Sequence, residues 1–156
     1  MQLLIYIYRK GLTMKIYKYS IKRTFVKEIE TVKTTDAPAA VAHLRQVFDF
    51  DREQEQFYVL FLNTSNEIIG THLSHIGSIN SVMAQNRDVF RPALIAGAAA
   101  IIIAHNHPSG STTPSEQDRK FTREAVTAGK LLNIQVLDHL IITETDYYSF
   151  SYNGEI

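Results

Sequence analysis

The sequence contains no cysteine, which removes a disulfide framework, a thiol nucleophile and a thiolate metal site at one stroke. Any metal must then be held by histidine and carboxylate. Net charge is also missing: Lys plus Arg and Asp plus Glu number 16 each, so no global field recruits nucleic acid. A run long enough to span a bilayer is lacking too, because the longest apolar stretch, Ala93 to Ala104, is short and broken by Gly97. The apolar start, Met1 to Tyr8, is too short for a secretory signal and carries no leading charge. Internal repeats and low-complexity segments are absent. The expectation is a cytoplasmic protein with no membrane association, whose oligomeric state the sequence leaves open.

What is present describes a globular chain. With 156 residues, 45% apolar and 21% charged, it can bury a core without staples. Residues 1–35 read as an N-terminal extension and strand region, in which either Met1 or Met14 serves as the start, and residues 36–156 read as the main domain. Lys15, Lys18, Lys22, Arg23 and Lys27 punctuate a β-prone stretch over 15–34. They read as a solvated strand face or edge protection rather than as a nucleic-acid patch.

Further along, Asp36 is placed to cap a helix over about 37–49, with Pro38 near its first turn. A strand over 55–63 and a second over 67–74, joined by a turn at Asn63–Asn66, form an antiparallel hairpin. Asn86 or Asp88 opens a helix that stops near Gly97, in which Pro92 is tolerable only near the first turn. Residues 98–104 form a buried strand, and 116–130 a helix with Phe121, Ala125, Ala128 and Leu132 on one stripe. A buried strand over 133–143 and a short one over 147–152 complete the chain.

The chemistry concentrates in His105 to Asp118, HNHPSGSTTPSEQD. At strand spacing His105 and His107 project to one face, with Asn106 turned away. Pro108, Ser109, Gly110 and Pro114 loop the chain back, and Ser115 begins a helix with Asp118 in its first turn. Two imidazoles, one carboxylate and an open position suit a hydrolytic zinc site. Ser115 and Asp118 alone also resemble a capping box with Asp in place of Glu, which needs no metal. Histidines at the end of an apolar strand need partners if buried, and the four residues together favour the metal. Asp138 and His139 sit inside a later apolar run, where one could orient a ligand histidine or both could be satisfied core polars. His72 and His75, three apart, do not suit one strand face.

His-x-His, seven residues and then Ser-x-x-Asp resembles the motif of the JAMM (MPN+, JAB) metalloproteases. The HNHPSG run, the Pro-Ser before the helix and the later Val136-Leu137-Asp138-His139-Leu140-Ile141-Ile142 resemble the RadC-like branch. The resemblance covers about Glu55 to the C-terminus. It implies an α/β fold of the α+β type, a mixed, largely antiparallel sheet flanked by helices, in the JAB/MPN (cytidine-deaminase-like) architecture. It further implies a zinc-dependent hydrolase acting on a peptide or isopeptide bond of a protein or peptide substrate. His105, His107 and Asp118 would be the ligands, and Ser115 the donor to the developing oxyanion. A glutamate at the start of a strand would be the general base, for which Glu55 is the first choice and Glu53 the competitor. Gly77-Ser78 resembles a glycine-containing element of this branch. RadC-like proteins often carry an N-terminal helix-hairpin-helix segment, which the first fifty residues do not resemble. An older association of the branch with DNA repair supports an alternative: a non-catalytic repair or recombination binding module that keeps the metal. An HNH nuclease, suggested by the letters of His105-Asn106-His107, is rejected, since that name describes residues spread over a ββα-metal unit.

Overall fold

The computed structural model describes residues 2–7, 15–20, 36–50, 54–77 and 85–156. The chain divides into two compact units, Met1–Glu30 and Thr31–Ile156. In the first, β1 (Gln2–Ile7) pairs antiparallel with β2 (Lys15–Ser20), from Gln2 opposite Ser20 to Ile7 opposite Lys15. Lys15 and Lys18 fall on β2; Met14, Lys22, Arg23 and Lys27 lie outside the described residues.

The second unit runs α1 (Ala37–Leu44), β3 (Glu55–Leu62), β4 (Ile68–Gly77), α2 (Asn86–Ala96), β5 (Ala100–Asn106), α3 (Glu116–Leu132), β6 (Gln135–Ile142) and β7 (Tyr147–Ser149). Five strands form one open sheet in the order β4-β3-β5-β6-β7. Only the β5–β6 pair is parallel; the other three pairings are antiparallel. The fold is α+β, with a mixed and mostly antiparallel sheet, and is consistent with the JAB/MPN architecture. No helix among the described residues is long and apolar enough to cross a membrane.

The central strands are buried on both faces, so their sequences read as continuous apolar runs. Alternation sorts them. Phe57, Val59, Phe61, Ile101 and Ile103 pack with Val89 and Phe90 of α2 and Phe121 and Ala125 of α3. Tyr58, Leu60, Leu62, Ile102 and Ala104 pack on the other side with Ala40, Val41 and Leu44 of α1.

Several boundaries depart from the sequence expectation for identifiable reasons. α1 ends at Leu44, and the chain tightens through Gln46 N–H to His43 C=O and Val47 N–H to Leu44 C=O. Those short-range bonds still carry Phe48 into the core. The second hairpin strand continues past Ser74 to Gly77, absorbing an irregularity opposite Phe57/Tyr58; Ser78 lies outside the described residues. β5 starts two residues later than expected and runs through His105 to Asn106, while β7 ends at Ser149.

Pro92 sits inside α2 rather than in its first turn. A proline there leaves the carbonyl four residues earlier without its amide donor, and the Ser74 hydroxyl, 3.3 Å away, donates to that Asp88 carbonyl instead. In α3 the buried residues are Asp118, Phe121, Thr122, Ala125 and Gly129, whereas Leu132 is exposed. Gly129 does not stop the helix, which ends on Asn133 in the left-handed conformation. It permits a close approach: a Cβ there would lie 2.5 Å from the Ile134 carbonyl oxygen.

Candidate metal centre

Three elements meet at the C-terminal end of β5. His105 belongs to that central strand and is 4% exposed. Its ring lies parallel to that of Phe57, directly opposite on β3, at a centroid distance of 6.0 Å. Asn106 turns to the other face, as alternation requires, where its Oδ1 accepts from the Gln56 amide at 2.6 Å. His107 follows the strand and returns to the face of His105, the two Nε2 atoms standing 3.0 Å apart. Its Nδ1 faces the Ser111 carbonyl at 2.9 Å. A carbonyl only accepts, so Nδ1 carries a proton; Nε2 points inward, a lone pair in the neutral ring and the site of the second proton when the ring is charged.

α3 supplies the carboxylate. Ser115 is its N-cap and Asp118 its third residue, with both bonds of a capping box present. Asp118 Oδ2 accepts from the Ser115 amide at 2.7 Å and from its hydroxyl at 2.6 Å. Oδ1 stands 3.3 Å from His105 Nε2, and Oδ2 3.6 Å from His107 Nε2. The cap and the inward-facing carboxylate are thus one arrangement, since the cap aims the side chain at the histidines.

These donors fit a metal ion. Around an ion at about 2.0–2.2 Å, tetrahedral neighbours stand about 3.3–3.6 Å apart. His105 Nε2 stands 3.0 Å from His107 Nε2 and 3.3 Å from Asp118 Oδ1, and His107 Nε2 is 3.6 Å from the other oxygen, Oδ2. One donor atom from each residue lies within 4.8 Å of the other two, close enough for a single ion to draw them together. The electrostatics agree. Burial alone would raise the Asp118 carboxyl, but the His105 and His107 imidazoles facing it hold it far below the usual carboxylate range. His107 is raised above the ordinary histidine value, first by the Asp118 carboxylate beside it and also by the charge of Glu55. The pocket therefore favours positive charge where the donors converge.

Glu55 opens β3. Two residues before Phe57, it shares the face on which Phe57 meets His105, and its charge reaches His107. It stands outside the converging donor set. Glu53 lies outside the described residues. Ser115 is at the rim, its hydroxyl hydrogen committed to Asp118. His72 stacks on Phe61 at 6.2 Å. His75 pairs opposite Phe57, and its buried Nε2 has no hydrogen-bond partner among the described residues. Neither joins the converging donors.

Of Asp138 and His139, only the histidine reaches the site. His139, 0% exposed, places Nε2 2.9 Å from His105 Nδ1. Asp138 faces away, and its carboxylate accepts from the Ser149 hydroxyl at 2.6 Å, the His139 amide at 2.8 Å and the Ser151 amide at 2.9 Å. An irregularity between Ile101 and Ile102 decides this, because Val136 pairs with Ile101 but Asp138 with Ile102, leaving Leu137 extra. Sequence reasoning missed Thr122, whose Oγ1 lies 2.6 Å from His139 Nδ1. The available signal was its position one turn after Asp118, hence on the same helix face.

A family model described as the RadC-like JAB domain matches residues 28–155. Curated relatives include a UPF0758 protein of Chlorobium chlorochromatii, 41% identical over 104 residues, 67% of this chain and 47% of the relative. Another, from Flavobacterium johnsoniae, is 47% identical over 100 residues, 64% of this chain and 44% of the relative. A third, from Histophilus somni, is 37% identical over 135 residues, 86% of this chain and 61% of the relative. The chain spans about half the length of the curated relatives it matches.

Proposed function

The chain belongs to the RadC-like JAB domain family, and from that premise we propose that it is a zinc-dependent hydrolase of a peptide or isopeptide bond in a protein or peptide substrate. The observation that carries this reading is the convergence of His105 Nε2, His107 Nε2 and the Asp118 carboxylate within 3.0–3.6 Å of one another.

His105, His107 and Asp118 would hold the ion, which would supply Lewis acidity toward water and an amide carbonyl. The remaining work belongs to side chains at the rim. Glu55, half-buried at the start of β3, takes the proton of the attacking water and delivers it to the leaving nitrogen. The Ser115 hydroxyl donates to the carbonyl oxygen as negative charge develops there, a bond worth roughly 3 kcal/mol of barrier. To do so it must turn from Asp118 Oδ2, to which it donates at 2.6 Å. Asp118 then keeps the Ser115 amide as a partner at 2.7 Å, so the cap survives the turn.

The test combines elemental analysis with turnover on a panel of peptide and isopeptide substrates. Purified protein should carry one zinc per chain and lose it in His107→Ala. Glu55→Gln should keep the metal and lose roughly 10²–10⁴-fold in rate. Unchanged metal content in His107→Ala would sink the site. Full metal with no hydrolysis of any substrate would favour the repair-associated binding module, and retained rate in Glu55→Gln would remove Glu55 as the base.

A further inference from the structure

We infer that Thr122 and His139 form a positioning relay that locks the proton of His105 on Nδ1, so that Nε2 reaches the metal centre as an electron-pair donor. The inference rests on the metal reading above and adds to it the direction of every hydrogen bond behind His105.

The relay starts on a ligand residue and ends on a ligand residue. The Thr122 hydroxyl, 1% exposed, owns one hydrogen. Its Oγ1 lies 2.6 Å from the Asp118 backbone carbonyl and 2.6 Å from His139 Nδ1. The carbonyl can only accept, so the hydroxyl hydrogen goes there. At His139 Oγ1 must then act as acceptor, which requires Nδ1–H on that ring. His139 is wholly buried, and among the described residues no carboxylate bonds to its ring, an environment that keeps an imidazole neutral. With its one proton on Nδ1, its Nε2 is an acceptor. The contact of 2.9 Å to His105 Nδ1 must therefore be a bond donated by His105. His105 Nε2 is left without a proton, facing His107 Nε2 and Asp118 Oδ1.

The two ligand histidines thus reach the same state by different means. His107 is set by one loop carbonyl at the rim. His105 is set by a chain through α3 and β6, inside the core. The packing around His139 supports that role: its ring stacks on Phe150 at 4.9 Å with 12° between planes, and Phe57 and Phe121 stand at 6.1 Å. Held in that slot, the ring keeps its nitrogens aimed at Thr122 and His105. Removing the hydroxyl takes away the acceptor for Nδ1–H. His139 can then carry its proton on Nε2 and donate to His105 Nδ1, which drives the His105 proton onto Nε2, where it blocks the donor atom.

The test uses the full chain with ¹⁵N-labelled histidine. In metal-free wild type, imidazole ¹⁵N–¹H correlations should show His105 and His139 both protonated at Nδ1. Thr122→Val preserves volume and removes the hydroxyl; it should shift proton density to Nε2 and weaken zinc binding roughly 10–100-fold in a chelator competition. Thr122→Ser should restore both the spectrum and the affinity, which a purely structural role for the threonine methyl would not. Nε2–H on His139 in the wild type would overturn the relay, and that spectrum decides even if a variant fails to fold. So would a Thr122→Val protein with unchanged tautomers and unchanged zinc affinity. Wild type that shows the Nδ1–H pattern yet binds no zinc would refute the metal reading while leaving the proton arrangement standing.

Discussion

Asp118→Asn separates the two things one carboxylate does. Asparagine keeps the shape of the capping side chain and can accept from Ser115, but it removes the charge that faces His105 Nε2 at 3.3 Å. In the metal-free protein the loss falls on the charge-assisted bonds from the Ser115 amide and hydroxyl, 2.7 and 2.6 Å long, and on the favourable helix dipole. Converting those bonds to neutral ones costs about 1–2 kcal/mol. For a domain of this size that is a drop of about 2–8 °C in Tm. Zinc should then discriminate far more sharply. At a hundredfold excess over Kd it stabilises the wild type by about 2.7 kcal/mol. If the substitution weakens binding a hundredfold, the same zinc adds only about 0.4 kcal/mol, a shift of about 1–2 °C. Thermal melts with chelator and with zinc, on both proteins, supply the four numbers. Equal zinc-induced shifts in the two would mean that Asp118 is a helix cap and nothing more.

Three other outcomes follow from the geometry. In the metal-free protein, Asp118 is held below its ordinary value of 3.8, so its contribution is present above that pH and is lost as pH falls. His107 is raised above 6.5, so its contribution is complete below that pH and is lost as pH rises through the folded value. Chelated protein should therefore be most stable between these two values, while the increment from zinc grows with pH because metal and proton compete for His107; melts from pH 5 to 8 with the opposite trends would refute the assignment. Gly129→Ala would set a Cβ 2.5 Å from the Ile134 carbonyl oxygen and 3.2 Å from Val136 Cγ2. Overpacking should outweigh the gain in helix propensity and destabilise by about 1–2 kcal/mol in urea, and a more stable variant would show that α3 can lift from the sheet freely. Asp138→Asn should cost about 1–3 kcal/mol by placing an amide among three donors, with zinc affinity unchanged; a large loss of affinity would place Asp138 on the wrong face of β6.

Much of the site was legible locally. His105 and His107 share a face because a strand alternates, and Asp118 is presented by the first turn of a helix that Ser115 caps. The competing readings of Ser115 and Asp118, cap or metal centre, proved compatible, since the cap turns the carboxylate toward the imidazoles. Glu55 was named only through the family resemblance, with Glu53 as its competitor, and it stands outside the converging donor set. Thr122 carried only its position one turn after Asp118, because a threonine within a helical apolar stripe looks like any small core residue until β6 brings His139 against it. Pro92 was misplaced for a similar reason: the donor that satisfies the freed Asp88 carbonyl is Ser74, on another element.

The chain's own periodicities determined the donor types, the face that His105 and His107 share and the helix that carries Asp118. These depend only on neighbours within a few residues, and alternation or helical pitch transmits them reliably over that range. Which of Asp138 and His139 turns to the site was decided by pairing. Strict alternation from Val136 would have put Asp138 beside His105, but the extra residue at Leu137 inverts the parity of β6 and delivers His139. A bulge is a compromise between two strands. It takes form only when β5 and β6 are laid side by side, and so the proton relay behind His105 belongs to the tertiary structure alone.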